Sequence, residues 1–366
     1  EDIISQSVAK ALYGAVSPYS ATRLERFAAC AFAHFLQYGM KLTERVEYEF
    51  KPMDMGNVMH EALESFAEEV RKRGMKWTEL TEQERNEIAD RCLDNIVADY
   101  GNTVLKSSAR NEYMIERTRR ILRRTVWALQ KQLEQGEFQP EGFEVTFGGG
   151  RIDRVDIMED QNKVYVKVID YKTGNTSFDL VYLYHGLQLQ LMIYLDGALR
   201  VEQKKYPDKE IIPAGVFYYN IKDPMIQEKI DADVEAVSAG LMKELKMNGL
   251  VQADPELVYR MDSSLGSIPV AFNKDGSFRK NSSVADRTQF AVLGRYVRTK
   301  IEKIRSSILE GDAEVSPYEL GKKNACTYCP YMTVCGFDRR LSGYEFRRLK
   351  NFSDEELWKA FDREAE

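Results

Sequence analysis

Val164-Tyr165-Val166-Lys167-Val168-Ile169-Asp170-Tyr171-Lys172 is the stretch on which the reading of this 366-residue chain turns. Val164, Val166 and Val168 alternate with other residues, the pattern of a strand whose side chains point to opposite faces in turn. Asp170 and Lys172 continue the valine face at the end of that strand. A carboxylate there can hold a hard divalent cation, and an ammonium beside it can orient a water or stabilise developing charge. Asp-x-Lys alone is also an ordinary surface ion pair, so its neighbours carry the argument.

The preceding strand, Arg151 to Met158, brings a second carboxylate. A short turn between the two strands can set Asp153 beside Asp170, and converging carboxylates are costly unless a cation neutralises them. Asp156 lies on the face opposite Asp153 and reads as a surface or structural carboxylate. Phe143 to Phe147 alternates as a further strand. His60 sits on a helix expected over 56–73, and imidazole suits Mn²⁺ and tolerates Mg²⁺ in a mixed site. Gln190 and Tyr194 are one turn apart on a long helix expected over 179–200, so they share a face. Each of these has a bland reading as well: a structural histidine, and the polar edge of a buried helix.

Around this centre the pattern is α/β, with a central mixed sheet, flanking helices and a helical insertion. Ser20 to Tyr38 reads as one helix, with Thr22-x-x-Glu25 as a capping box. Residues 80–135 are helical and strongly charged. Ala214 to Ile221 is another strand, helices are expected over 227–247 and 285–310, and Ser353 with Glu356 caps a last short one. The expected organisation is a single domain over 1–366. It comprises an N-terminal segment (1–55), a helical subdomain (56–140), a core (141–250) and a C-terminal segment (251–366). Glu1 rather than Met opens the sequence, so a piece of a longer polypeptide is expected.

Five cysteines without a visible secretory signal point to a reducing compartment and to metal ligation rather than a disulfide scaffold. Cys30 lies early, and Cys326, Cys329 and Cys335 form C-x2-C-x5-C late. Cys92, in a helical stretch, reads as a small buried apolar residue. Hydrophobic residues are 43% and no apolar run is long enough to span a bilayer, so no membrane is expected. The net charge of −6 argues against a generic nucleic-acid coat, although a local basic stripe runs through Arg117, Arg119, Arg120, Arg123 and Arg124. Its bland reading is a solvated helix face. With Arg154, the stripe is a candidate path for DNA.

In this order, His60, Gly150 to Asp153, Asp170-Tyr171-Lys172 and Gln190 to Tyr194 resemble the RecB-family nucleases of the PD-(D/E)XK superfamily. Those carry a helical histidine, GxxD, DYK and QxxxY. The cysteine spacing is similar to the iron–sulfur staple of AddB-type nuclease domains, as are the stretches Tyr184 to Gln190, Asp223 to Gln227 and Cys326 to Pro330. The likeness extends over nearly the whole chain. Relative to that family, the connection at Gly148-Gly149-Gly150 and the region Ser264 to Pro269 look shortened.

The resemblance implies a restriction-endonuclease-like core that hydrolyses single-stranded DNA as an exonuclease. It implies Mg²⁺ or Mn²⁺ on His60, Asp153 and Asp170, with Lys172 positioning the water and Gln190 and Tyr194 orienting Lys172 or the strand. It implies a [4Fe–4S] cluster on Cys30, Cys326, Cys329 and Cys335. Its implied partners are an AddA-type helicase–nuclease subunit and the rest of an AddB polypeptide, in a complex that processes double-strand breaks in the bacterial cytoplasm. Two rivals are a catalytically inactive DNA-binding scaffold and a zinc-stapled fold, since zinc also takes four cysteines.

Overall fold

β1 (Gln139–Phe147), β2 (Gly150–Asp160) and β3 (Lys163–Lys172) form an antiparallel meander, with Val145 opposite Ile152 and Arg154 opposite Ile169. β4 (Glu210–Asn220) runs parallel to β3, β5 (Asn248–Gln252) is antiparallel to β4, and the short β6 (Val284–Ala285) is parallel to β5. Sheet order follows chain order, so the sheet is mixed and β3 and β4 are central. The computed structural model describes residues 3–14, 19–43, 52–99, 109–148, 150–225 and 233–365. Gly149, the last two residues of Asp223 to Gln227 and the start of the helix expected over 227–247 lie outside the described residues.

Helices cover both faces. They are α1 (Gln6–Tyr13), α2 (Ala21–Ala29), α3 (Ala31–His34), α4 (Pro52–Lys72), α5 (Glu82–Asp99), α6 (Ala109–Leu133) and α7 (Leu180–Tyr184). Then come α8 (Gln190–Lys205), α9 (Val234–Glu244), α10 (Pro255–Met261), α11 (Arg287–Glu310), α12 (Met332–Cys335) and α13 (Asp354–Ala365). Met158, Tyr165, Tyr171, Phe217 and Tyr219 pack in one core with Phe66 of α4, Leu93 of α5 and Leu122 of α6. Val164, Val166, Val168 and Val216 pack in the other with residues of α2, α8, α11 and α13. The valines of β3 thus face α8, as their alternation requires. No helix among the described residues is long and apolar enough to cross a membrane.

Two expected helices are broken, and both breaks shape the site. Ser20 to Tyr38 is interrupted at Cys30, whose extended backbone (φ −166°, ψ 118°) ends α2 and frees Phe32 N–H to donate to Glu314 O. A π-helical turn, Phe35–Gly39, follows α3. The capping box at Thr22 does not form. Ser20 Oγ accepts from Arg23 N instead, and Glu25 is engaged elsewhere. The helix expected over 179–200 is two helices, α7 and α8. Between them Gly186 takes φ 79°, where a Cβ would come within 3.2 Å of Ala28 Cβ on α2. A strained β-carbon is avoided only by glycine there, so the helix must turn and restart at Gln190.

The face of β2 opposite Asp153 carries a buried charge network. Arg154 donates to both oxygens of Asp156 (2.6 and 2.8 Å), and Lys167 Nζ lies 2.9 Å from Asp156 Oδ2. Asp156 is wholly buried and Arg154 is 2% exposed. Removing one member strands the others in the core, so Asp156→Ala is expected to cost about 3–5 kcal/mol in a urea melt. A loss under about 1 kcal/mol, the scale of an exposed pair, would show that the network is solvated.

Candidate metal centre

The β2–β3 pairing ends at Arg154 opposite Ile169, and Asp153 and Asp170 stand just beyond that pair, near enough for the charge of Asp153 to act on Asp170. Asp153 Oδ2 accepts from Tyr171 N at 2.7 Å, which pins its carboxylate across the strand pair. α4 delivers His60 to the same point: Nδ1 lies 3.4 Å from Asp153 Oδ2 and 3.9 Å from Glu144 Oε1. The Tyr171 ring meets the imidazole edge-on at 6.0 Å. His60, Glu144 and Asp153 offer ligand atoms all within 4.8 Å of one another.

Glu144 was not among the residues expected here. It sits on β1 with φ 49°, a left-handed residue inside a strand, and this kink accompanies the convergence of its carboxylate on His60. Arg151, largely exposed, pairs with its other oxygen. Strand alternation alone placed Glu144 between Phe143 and Val145 and gave no sign of this convergence.

The charges fit a cation. Burial chiefly, and the charge of Asp153 next, push the Asp170 carboxyl up to about 7 although Lys172 pulls it down. Burial would lower His60, but hydrogen bonds and charge from Asp153 and Glu144 outweigh it and raise the imidazole to about 10. Two carboxylates and one imidazole therefore converge, and the expected ligand Asp170 stands outside that close group but near enough to feel Asp153 and His60. Their positive partners among the described residues are a proton on the ring, the Lys172 ammonium and the largely exposed Arg151. Oxygen and nitrogen donors of this kind suit Mg²⁺ or Mn²⁺.

A polar chain runs from that point onto α8. Lys172 Nζ lies 2.5 Å from Asp170 Oδ2 and donates to Gln190 Oε1 at 2.7 Å, and Gln190 Nε2 donates to Tyr194 OH at 2.8 Å. Lys172 is 27% exposed in its side chain, so its ammonium reaches solvent while its partners hold it. The break before α8 makes Gln190 the first residue of its helix, which points it back at the strand ends.

Cys30, Cys326, Cys329 and Cys335 line one small apolar pocket with Phe32, Leu36, Tyr331 and Phe337. None of them is in a disulfide. Burial pushes Cys30, Cys326 and Cys335 up, Cys326 to about 11 with the other three cysteines adding to it. Four soft donors in a dry pocket fit a thiolate-ligated cluster, and zinc fits the same donors. Cys92 is buried in the other core, away from them.

The profile of the PD-(D/E)XK nuclease superfamily matches residues 18–336. The chain belongs to that superfamily. It is 43% identical over 389 residues to an ATP-dependent helicase/deoxyribonuclease subunit from Lachnoclostridium phytofermentans, covering 100% of this chain and 33% of that protein. Proteins of the same name from Thermoanaerobacter sp. strain X514 and Clostridium acetobutylicum are each 35% identical over 387 residues, covering 99% of this chain and 34% and 33% of theirs. The chain thus spans about a third of the length of the curated relatives it matches. The α/β fold with its mixed sheet and flanking helices agrees with the superfamily.

Two groups of residues expected along a DNA path are placed otherwise. Arg154 is spent on Asp156 inside the core, beneath Trp77 and Phe143, and cannot reach a strand of DNA. In the α6 stripe, Arg119 pairs with Asp90, Asp94 and Glu116, Arg123 with Asp90, and Arg120 with Asp223. Carboxylates from α5 and the segment after β4 offset much of the stripe's charge, which favours the solvated-face reading.

Proposed function

We propose that this chain is the nuclease part of a larger DNA-processing subunit, hydrolysing phosphodiester bonds of single-stranded DNA with Mg²⁺ or Mn²⁺. The observation that carries the reading is the convergence of His60, Glu144 and Asp153, with Asp170, paired to Lys172, near enough to feel the charges of Asp153 and His60. Those four residues would hold the divalent ion, which when bound supplies Lewis-acid polarisation of the phosphate and a more acidic water. Lys172 orients the water and meets charge developing on the phosphate, and Gln190, anchored on Tyr194, fixes where Lys172 Nζ stands. A degenerate scaffold would have lost one of these groups, and here all of them are present.

The names of the relatives support the wider setting. In this reading the rest of an AddB-type polypeptide and an AddA-type helicase–nuclease subunit feed strands to the site as an exonuclease, in the bacterial cytoplasm, during double-strand break repair. The cysteine pocket would hold a [4Fe–4S] cluster that joins the chain's two ends. The single-domain organisation with its helical subdomain over 56–140 belongs to the same proposal.

The test is cleavage of an end-labelled single-stranded oligonucleotide by the full-length polypeptide carrying this chain, with Mg²⁺, with Mn²⁺ and with excess chelator. Cleavage lost on chelation and restored by Mg²⁺ is expected; chelator-resistant cleavage, or none with either metal, overturns the reading. Glu144→Gln is expected to weaken Mn²⁺ affinity by about tenfold, the lower end of what a lost metal-site contact costs. Unchanged affinity would remove Glu144 from the ligand set.

A further inference from the structure

Glu25 caps a helix that is not its own. α8 begins without a local cap, since Leu189 precedes it in helical conformation and gives no side-chain acceptor. The first amides of a helix need acceptors from somewhere. Glu25 Oε1, on α2, accepts from Leu189 N at 2.7 Å and from Gln190 N at 2.9 Å. Nearby Gln188 cannot serve, because its side chain bonds Asp179 N and Ser177 O. A carboxylate suits this place, where the helix dipole is positive.

What Glu25 holds is the start of the polar chain. Fixing the Gln190 amide fixes the root of the side chain whose Oε1 receives Lys172 Nζ and whose Nε2 reaches Tyr194. Glu25 lies close enough to feel the charges of Lys172 and Asp170, yet no direct bond to either is formed. Burial pushes its carboxyl up to about 7, against the two amide bonds and Lys172, which pull it down. Protonation leaves the cap intact, because a neutral carboxyl still accepts through its carbonyl oxygen.

The other end of the same helix is Cys30. α2 is nine residues long, Glu25 stands in its middle, and Cys30 is its C-cap. At a helical rise of 1.5 Å per residue the two are about 7 Å apart along the axis. One short rigid element therefore carries a thiol of the cysteine pocket and the cap of α8.

We propose that Glu25 is a positioning residue for Lys172: through the cap at Leu189 and Gln190 it sets where the lysine stands, and α2 braces that arrangement against the cysteine pocket. The inference rests on the nuclease reading only for its kinetic consequence. Glu25→Asp keeps the charge and loses reach, whereas Glu25→Gln loses the charge and keeps reach. In the full-length polypeptide, Glu25→Asp is expected to lower kcat on single-stranded DNA by up to about 100-fold, the cost of a misplacement near 1 Å. KM for DNA and calorimetric Mn²⁺ affinity should stay at the wild-type values. Glu25→Gln should keep most of the wild-type kcat.

Hydrogen exchange at the Leu189 and Gln190 amides supplies a readout independent of cleavage. Slow exchange is expected in wild type and Glu25→Gln, and fast exchange in Glu25→Asp. Equal exchange in all three proteins, or Glu25→Gln more impaired than Glu25→Asp, overturns the proposal. If wild type fails to cut DNA but shows this exchange order, the nuclease reading falls and the cap stands.

Discussion

Asp170→Ala is expected to abolish Mn²⁺ binding and DNA cleavage together, while Lys172→Ala keeps the metal and loses about two or more orders of magnitude in cleavage rate. The two side chains touch at 2.5 Å, but the site asks different things of them. Asp170 is 1% exposed, and its carboxylate stands near enough to Asp153 to be disfavoured by its charge unless a cation neutralises the two. Its loss removes a charged ligand. The fold should persist, since Lys172 keeps Gln190 as a partner. Lys172 offers no electron pair while it is charged, so its removal relieves repulsion of a cation rather than taking a ligand away. Calorimetric Mn²⁺ titration and single-turnover cleavage of both variants decide the matter. Lys172→Ala cutting at the wild-type rate would overturn the mechanism, and wild-type cleavage by Asp170→Ala would remove the site.

The same titration carries a pH signature. Metal ligands must be deprotonated, so binding releases protons wherever they are held. In the metal-free site burial and the charge of Asp153 push the Asp170 carboxyl up to about 7, and Asp153 and Glu144, against burial, raise the His60 imidazole to about 10. Below those values the carboxyl is neutral and the imidazolium has no free lone pair. Apparent Mn²⁺ affinity is therefore expected to climb as pH is raised from 6 to 8, with proton uptake by the buffer. Affinity flat across that window would mean that neither group is a ligand.

The central strands could be read from the sequence because each buries one face under α8 and the other under α4 to α6, so alternation and burial coincide. The valine face of β3 leads straight to Asp170 and Lys172, and the β2 register then brings Asp153. The residues that escaped are those whose roles depend on another element. Glu25 looked like the closing residue of a local capping box, and only the break before α8 gives its carboxylate two remote amides. Glu144 depends on one left-handed residue within a strand, which no alternation pattern announces. Arg154 looked available to DNA until Asp156, two residues on, proved to share its buried face. The arginines of α6 form a stripe on their own helix, but Asp90, Asp94 and Asp223 answer them from elsewhere.

If the proposed cluster occupies the cysteine pocket, Cys30→Ser is expected to lose iron, the broad visible absorbance that goes with it and much of the chain's stability, whereas Cys92→Ala keeps the iron. Cys30 is the remote member of its set. Cys326, Cys329 and Cys335 lie within one short segment around α12, and the helix that should have run on through residue 30 is broken to turn this thiol into their pocket. A cluster on all four closes a loop of almost 300 residues between Cys30 and Cys326. By the chain-entropy argument for a cross-link, closing a loop of that length is worth about 5–6 kcal/mol. Cys92 packs among Leu63, Ile88 and Leu93 and touches none of this. Iron assay, the visible spectrum and thermal melting of the three proteins, purified without oxygen, give the outcome. Full iron in Cys30→Ser would exclude it as a ligand. Zinc in place of iron in the wild type would keep the four-thiol site and replace the cluster, and unchanged melting on losing the metal would leave the two ends of the chain joined by packing alone.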